Sequence, residues 1–297
     1  MPLHVETAAN LTQKATPAKG NNYVLIILDS CRYDTLVEAK PRTICKLGEL
    51  EQRWSYASWT APSHYNLLSG LLPHQSPPKV FASDYYKKDF LHFTERLGIE
   101  GIGFKSLIPK LYFPAFLKES LGYRTHAMVS LPVLNPRTIL NHGFDTYQLM
   151  DKHNDMRAMI REMRFPEDRP SFYILNVGET HYPYALPDEP PEDWPRISGV
   201  HGVFKHLDDE VVGGKLIKSG GLFFSRSKCR MLRDRQVKAI QYLDRVVEEL
   251  LDIVPKNTYI TITADHGELF GESGFFGHGP IMHKKVFEVP FVEGKVR

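Results

Sequence analysis

Short apolar runs alternate along the chain with longer polar and amphipathic stretches. Residues 23–29, YVLIILD, form a β-branched run that ends at a carboxylate. A continuous apolar run of that length predicts a strand buried on both faces, with Asp29 at its carboxyl end. Residues 124–129 and 171–177 (SFYILNV) are further candidate strands, and TYITIT at 258–263 leads straight into Asp265-His266-Gly267-Glu268. From Tyr33 to about Glu51 the chain is polar and compatible with a helix. In SWTAPSHYNLLSG, from Ser58 to Gly70, Pro62 lies just inside the start of a predicted helix, where its missing N–H is least costly. Leu232, Val237, Ile240, Leu243, Val247, Leu250, Leu251 and Val254 have helical spacing, and Pro255 closes that element. Strands alternating with helices predict an α/β fold whose sheet is largely parallel. Sites in such sheets form beyond the carboxyl ends of strands, and Asp29 and Asp265 both fall there.

Two stretches break the alternation. Residues 76–116 and 182–225 mix prolines, aromatics and glycines, and they predict insertions over one face of the sheet, either lids or surface decoration. Their aromatic residues Phe90, Phe93, Tyr112, Phe113, Trp194, Phe223 and Phe224 are compatible with a pocket for an organic group or with packing the lids down. A length of 297 residues suits one elaborated domain, here residues 23–297 after a polar segment 1–22. Apolar residues at 42% and charged residues at 24% exclude a disordered chain. Lys plus Arg number 37 against 35 Asp plus Glu, a net charge of +2 that predicts neither nucleic acid nor a membrane as partner. The first 22 residues have no apolar run from which a secretory signal is built, and residues 23–28 are too short to cross a bilayer. Three cysteines, Cys31, Cys45 and Cys229, show no metal-ligand spacing. These features lead to the expectation of a reduced, cytoplasmic protein.

A divalent-metal site of hard or borderline character needs carboxylates and imidazoles arriving from separate strand ends. Asp29, Asp265 and His266 meet that need, and the Thr60 hydroxyl at the start of the predicted helix completes the set. Backbone N–H groups and the dipole at such a helix start favour an anion. A bound metal would favour the Thr60 alkoxide as a nucleophile at neutral pH, with the same N–H groups holding the oxyanion under attack. Taken singly, each residue has a plainer account: Thr60 as an N-cap, Asp29 as a turn residue, Asp265-His266-Gly267 as a strand-to-loop turn.

Together and in order, these segments resemble the alkaline phosphatase superfamily, specifically its sulfatase-like branch, over residues 22–293. NYVLIILDSCRYDTL is similar to the opening strand whose last Asp binds metal, and YASWTAPSHYNLLSGLLPH to the nucleophile segment. LGYRT with HGFDTY resembles the middle of the fold, and THYPY at 180–184 a His-x-Pro-Tyr element that contacts substrate. KAIQYLDRVVEELL resembles the long helix before the last site strand, and TITADHGELFGESGFFGHG the Asp-His-Gly-Glu metal segment. The resemblance implies a three-layer α/β/α fold with a largely parallel central sheet and lid-like insertions. It implies that Asp29, Thr60, Asp265 and His266 ligate one metal ion, with Thr60 also the nucleophile. It makes His181 and His278 ligands of substrate oxygens or proton donors to the leaving group, and it sets His64 where sulfatases carry the arginine paired with the nucleophile. Taken alone, each histidine is more often a hydrogen-bonded structural residue than a catalytic one, and only its place in the motif raises it.

The departures from the family pattern bear on the chemistry. Sulfatases mature a Cys or Ser to formylglycine, and Thr60 cannot follow because its β-carbon already bears a methyl group. Val129, Ser130, Leu131 and Pro132 replace a Gly-Lys-Trp-His element, His278 replaces a lysine, and Ser30 replaces a second acidic residue. Fewer carboxylates and more imidazoles favour Mn or Zn over Ca or Mg, with one ion expected and a second near His181, His278 or His283 left open. The expected activity is a metal-dependent hydrolase or transferase of phosphate or phosphonate esters, with a small-molecule ester as substrate and a covalent phospho-enzyme. A tailoring hydrolase acting on sulfate or a carbonyl, and a non-catalytic metal- or anion-binding relative, are the alternatives. The chain stops soon after VFEVPFVEG, where sulfatases begin a C-terminal subdomain. The insertions or a second subunit would then close the pocket, which leaves a homo-oligomer open.

Overall fold

β1 (Asn22–Leu28) is buried along its whole length, as its unbroken apolar sequence requires, and it occupies the middle of the sheet. The structure, a computed structural model, describes residues 20–75, 78–107, 112–196, 211–212, 215–216 and 225–296. After β1 come α1 (Tyr33–Ala39), α2 (Ile44–Leu47), β2 (Glu51–Trp54) and α3 (Thr60–Leu68). α4 (Ala82–Leu97), α5 (Phe104–Leu107), α6 (Phe113–Leu121), β3 (Arg124–Val129), β4 (Thr146–Leu149), α7 (Met156–Glu162) and β5 (Ser171–Val177) follow. The last part holds β6 (Val211–Val212), β7 (Lys215–Leu216), α8 (Arg226–Ile253), β8 (Thr258–Thr263), β9 (Leu269–Phe270), β10 (Phe276–Gly277), α9 (Lys284–Phe287) and β11 (Glu288–Lys295).

Seven strands form the main sheet in the order β2-β11-β8-β1-β5-β3-β4. β8, β1, β5, β3 and β4 run parallel, while β11 is antiparallel to both β8 and β2. Alternate residues of β1 serve two apolar layers. Val24, Ile26 and Leu28 pack with α1, α7 and α8, whereas Tyr23, Leu25 and Ile27 pack with α3, α4 and α6. This is the expected three-layer α/β/α arrangement with a mostly parallel central sheet.

The polar stretch from Tyr33 to Glu51 is not one helix. Lys40 takes the left-handed conformation at φ 51°, Pro41 follows, and α2 starts afresh with Asp244 of α8 accepting from the N–H groups of Thr43 (2.9 Å) and Ile44 (2.8 Å). In the described part of 76–116 the aromatic residues pack down, the second of the two readings given for them. Phe90 and Phe93 of α4 and Phe113 of α6 are buried in the sheet-facing layer with Tyr23 and Phe172. Each such ring removes enough apolar surface from water to be worth about 1.5–3 kcal/mol, which a loosely seated lid would forgo. α4 is further stapled to β11 by the buried Arg96, whose Nε and Nη2 lie 2.8 and 3.1 Å from the Glu293 carboxylate. Of the second predicted insertion, 182–196 is described; most of the remainder, including Phe223 and Phe224, lies outside the described residues, as do residues 1–19 of the polar segment.

Candidate active site

The parallel register builds the site. Ile27 pairs with Thr263 and Leu28 with Val177, so Asp29, Asp265 and the segment after β5 leave the same sheet edge side by side. Asp29, Asp265 and His266 are all buried, and their ligating atoms lie within 4.8 Å of one another. Asp265 Oδ1 accepts from the N–H groups of Ser30 (3.1 Å) and His266 (2.9 Å). Its Oδ2 is buried with no hydrogen-bond partner among the described residues, 3.3 Å from His266 Nε2. His266 Nδ1 donates to the Gly267 carbonyl at 2.9 Å, which leaves the Nε2 lone pair toward that oxygen. Gly267 permits this turn, since a β-carbon there would stand 2.1 Å from the Lys285 carbonyl oxygen.

Two buried carboxylates this close cannot both ionise without a cation. Burial and then the charge of Asp29 raise the Asp265 carboxyl well above its ordinary value. Burial would raise Asp29 too, but His181, His266, His64 and the Asn176 amide outweigh it and hold Asp29 low. Burial, then His278, keeps His266 neutral. An orphaned carboxylate oxygen, a bare imidazole nitrogen and a second carboxylate are a donor set that fits a divalent metal.

Thr60 is the first residue of α3, with Trp59 as the N-cap residue and no side chain capping the helix, so Thr60 itself is not a cap. Its Oγ1 lies 3.3 Å from His266 Nε2. His64, one turn along α3, donates from Nδ1 to the Thr60 carbonyl at 2.8 Å, while its Nε2 faces the Asn176 amide at 3.4 Å. Burial pulls His64 below the ordinary histidine value. Both of its nitrogens are thereby engaged behind the nucleophile position.

His181 donates from Nδ1 to the Tyr182 carbonyl at 2.8 Å, and its ring centroid is 5.4 Å from that of His278. His278 lies 4.2 Å, centroid to centroid, from His266. The structure thus gathers Asp29, Thr60, His64, His181, Asp265, His266 and His278 into one neighbourhood. His283 instead accepts from the Lys285 N–H as the N-cap of α9.

Two supporting residues escaped the sequence reading. Asn176 on β5 donates to Asp29 Oδ2 at 2.8 Å. Gln236 on α8 donates to the carbonyls of Ser30 and Thr180, both at 3.0 Å, tying the loop after β1 to the loop after β5. Each had a signal, because each is a lone amide among apolar neighbours, Asn176 in SFYILNV and Gln236 on the apolar face of a helix. Buried amides persist only when satisfied.

A family model described as Sulfatase matches residues 21–292. No curated protein is significantly similar in sequence. Among solved structures, the C-terminal periplasmic domain of EcEptC from Escherichia coli in complex with Zn superposes with a TM-score of 0.56 at 14% identity, over 96% of this chain and 75% of that one. The C-terminal periplasmic domain of phosphoethanolamine transferase EptC from Campylobacter jejuni gives 0.52 at 12% identity, over 95% and 81%. A protein in the alkaline phosphatase superfamily from Vibrio parahaemolyticus gives 0.50 at 13% identity, over 98% and 65%.

These relatives correct the expectation of a cytoplasmic protein, since the fold occurs here in periplasmic domains. Sparse cysteines were a poor guide to compartment. A core of this size is stable without disulfides, and Cys31 and Cys229 are simply buried. Among the described residues no helix is long and apolar enough to cross a membrane.

Proposed function

The chain belongs to the sulfatase family, and from that premise we propose that it is a divalent-metal-dependent hydrolase or transferase of phosphate or phosphonate esters with Thr60 as its nucleophile. The observation that carries this reading is the Thr60 hydroxyl itself, buried 3.3 Å from His266 Nε2 at the edge of the Asp29–Asp265–His266 group. A threonine in this place cannot be matured to formylglycine, which favours phosphoryl over sulfuryl transfer.

Asp29, Asp265, His266 and the Thr60 hydroxyl would hold the ion, and their mixed carboxylate and imidazole character favours Mn or Zn. Zinc gains support from the zinc complex of the E. coli relative. Bound there, the ion supplies Lewis-acid charge that lowers the pKa of a neighbouring hydroxyl and offsets negative charge on the phosphoryl group.

The remaining work falls to the chain. Thr60 Oγ1, as its alkoxide, attacks phosphorus while the bond to the departing alkoxide breaks. First-turn N–H groups of a helix have no intrahelical partner, so those of Thr60 and Ala61 are available to the non-bridging oxygens. His278, or His181 beside it, gives its proton to the leaving oxygen and later takes one from the water or alcohol that releases phospho-Thr60. His64 holds the Thr60 backbone from below.

The test sets chromogenic phosphodiester, phosphomonoester, phosphonate and sulfate esters side by side with metal-loaded protein and a Thr60→Ala variant. Phosphoryl substrates should turn over, and the variant should lose about 10³-fold or more in kcat. Dominant sulfate turnover would sink the phosphoryl reading. Activity that survives without Thr60 would assign the attack to hydroxide.

A further inference from the structure

β9 and β10 form a two-stranded antiparallel ribbon in which Gly277 pairs with Leu269. The next pair across that ribbon is Glu268 and His278, so nine intervening residues return His278 to the carboxylate that follows the metal-site turn. His278 Nδ1 lies 3.2 Å from Glu268 Oε1 and 3.4 Å from Ser30 Oγ. Ser30 spends its own hydroxyl hydrogen on Asp29 Oδ1 at 3.2 Å, so toward His278 it can only accept. Both groups facing Nδ1 are therefore acceptors, and the hydrogen belongs on Nδ1.

Glu268 is itself held from behind. It is 1% exposed, and its Oε2 accepts from the hydroxyl of Tyr184, also 1% exposed. Tyr184 is not a glycine, yet its backbone adopts φ 58° in the left-handed region. Such a conformation is unfavourable for a residue with a β-carbon and persists where surrounding contacts over-determine it. Here those contacts are the Tyr184 N–H donating to the His181 carbonyl at 2.7 Å and a cluster of Tyr182, Phe270, Cys229 and Leu232. The His-x-Pro-Tyr segment thus sends its tyrosine behind the ribbon.

We propose that Glu268, backed by Tyr184, is a positioning residue that holds His278 with hydrogen on Nδ1, so that Nε2 alone exchanges a proton with the substrate oxygen. This rests on the reading of His278 as the leaving-group acid. Protonated on both nitrogens, the ring gives the Nε2 proton to the alkoxide as the P–O bond breaks and keeps Nδ1–H on Glu268. It ends neutral, the leaving group ends as the alcohol, and no other reactant is needed. A neutral amide in place of the carboxylate no longer fixes the Nδ1 hydrogen or the orientation of the ring, and the loss should fall on substrates that need the proton most.

The experiment compares aryl and alkyl phosphodiesters of graded leaving-group pKa on metal-loaded wild type, Glu268→Gln, Tyr184→Phe and His278→Gln. For Glu268→Gln, kcat/KM should fall about 10²-fold on the alkyl ester and by only a few-fold on the 4-nitrophenyl ester, matching the steepened leaving-group dependence of His278→Gln. Tyr184→Phe should move in the same direction by less. A loss equal for all leaving groups would mean that Glu268 only supports the fold and would overturn the proposal. Imidazole ¹⁵N shifts of metal-free wild type give a readout free of catalysis. His278 should carry its neutral-form hydrogen on Nδ1, and finding it on Nε2 would overturn the proposal even if the variants are slow. If His278→Gln leaves the leaving-group dependence unchanged while the Nδ1 tautomer is present, the acid role of His278 fails and the positioning by Glu268 stands.

Discussion

Asn176 gains its importance from where its amide is fixed. Oδ1 accepts from the N–H groups of Ser130 (3.1 Å) and Leu131 (3.3 Å), which forces Nδ2 toward Asp29. Hydrogen bonds of this outer kind are typically worth about 10- to 100-fold in metal affinity. Asn176→Leu should therefore weaken Zn²⁺ binding by about that factor in a chelator competition. Glu179 shows the opposite case, a buried acid not used at the site. Its Oε1 accepts from the Met156 N–H at 2.8 Å, Oε2 has no partner among the described residues, and burial pushes its pKa up to about 7 from an ordinary 4.5. An acid with a raised folded-state pKa binds its proton more tightly folded than unfolded. Its stabilising contribution is present below about pH 4.5 and is lost as pH rises through about 7. The full loss is at most about 3 kcal/mol. Urea midpoints should show Glu179→Gln close to wild type at pH 5 and more stable than wild type at pH 8.

At the scale of elements, α4 is a structural layer rather than a cover. Phe93 touches Phe90 and Phe113 with ring centroids 6.2 and 4.7 Å apart, and the Arg96 guanidinium lies over its ring at 4.8 Å. Phe93→Ala should cost about 3–5 kcal/mol in urea unfolding, with KM little changed. A lid would show the reverse, near-wild-type stability and a raised KM. α8 works on the other side of the sheet. Its Ile240, Leu243 and Val247 join the apolar layer that holds Val24, Ile26 and Leu28 of β1, and one buried amide of α8, Gln236, ties two site loops together.

For the molecule as a whole, the two apolar layers supply the fold, and the proposed metal site is a buried charged cluster that the chain bears at some cost without an ion. Removing the metal should therefore leave a folded chain. Adding Zn²⁺ at about 100 times its Kd should contribute about 2.7 kcal/mol. For a chain of 297 residues that is a rise in Tm of roughly 4 °C by scanning calorimetry. Asp265→Asn should abolish the rise while retaining cooperative unfolding, because Asp265 Oδ2 is the oxygen left without a protein partner.

Sequence alone determined the strands at 124–129, 171–177 and 258–263, the long helix before Pro255 and the location of Asp29, Asp265 and His266 at strand ends. Those features are local, since an apolar run, a helical period or a motif of adjacent residues is written in consecutive positions. Tertiary structure alone decided that the aromatic residues around 90–113 are core and that Asn176 and Gln236 brace the site. It also decided that Glu268 and Tyr184 stand behind His278. These depend on which strand lies beside which and on what a buried polar atom meets across the sheet, and the pairs Tyr184–Glu268, Asn176–Asp29 and Gln236–Ser30, which are 84, 147 and 206 residues apart, leave no period in the chain to read.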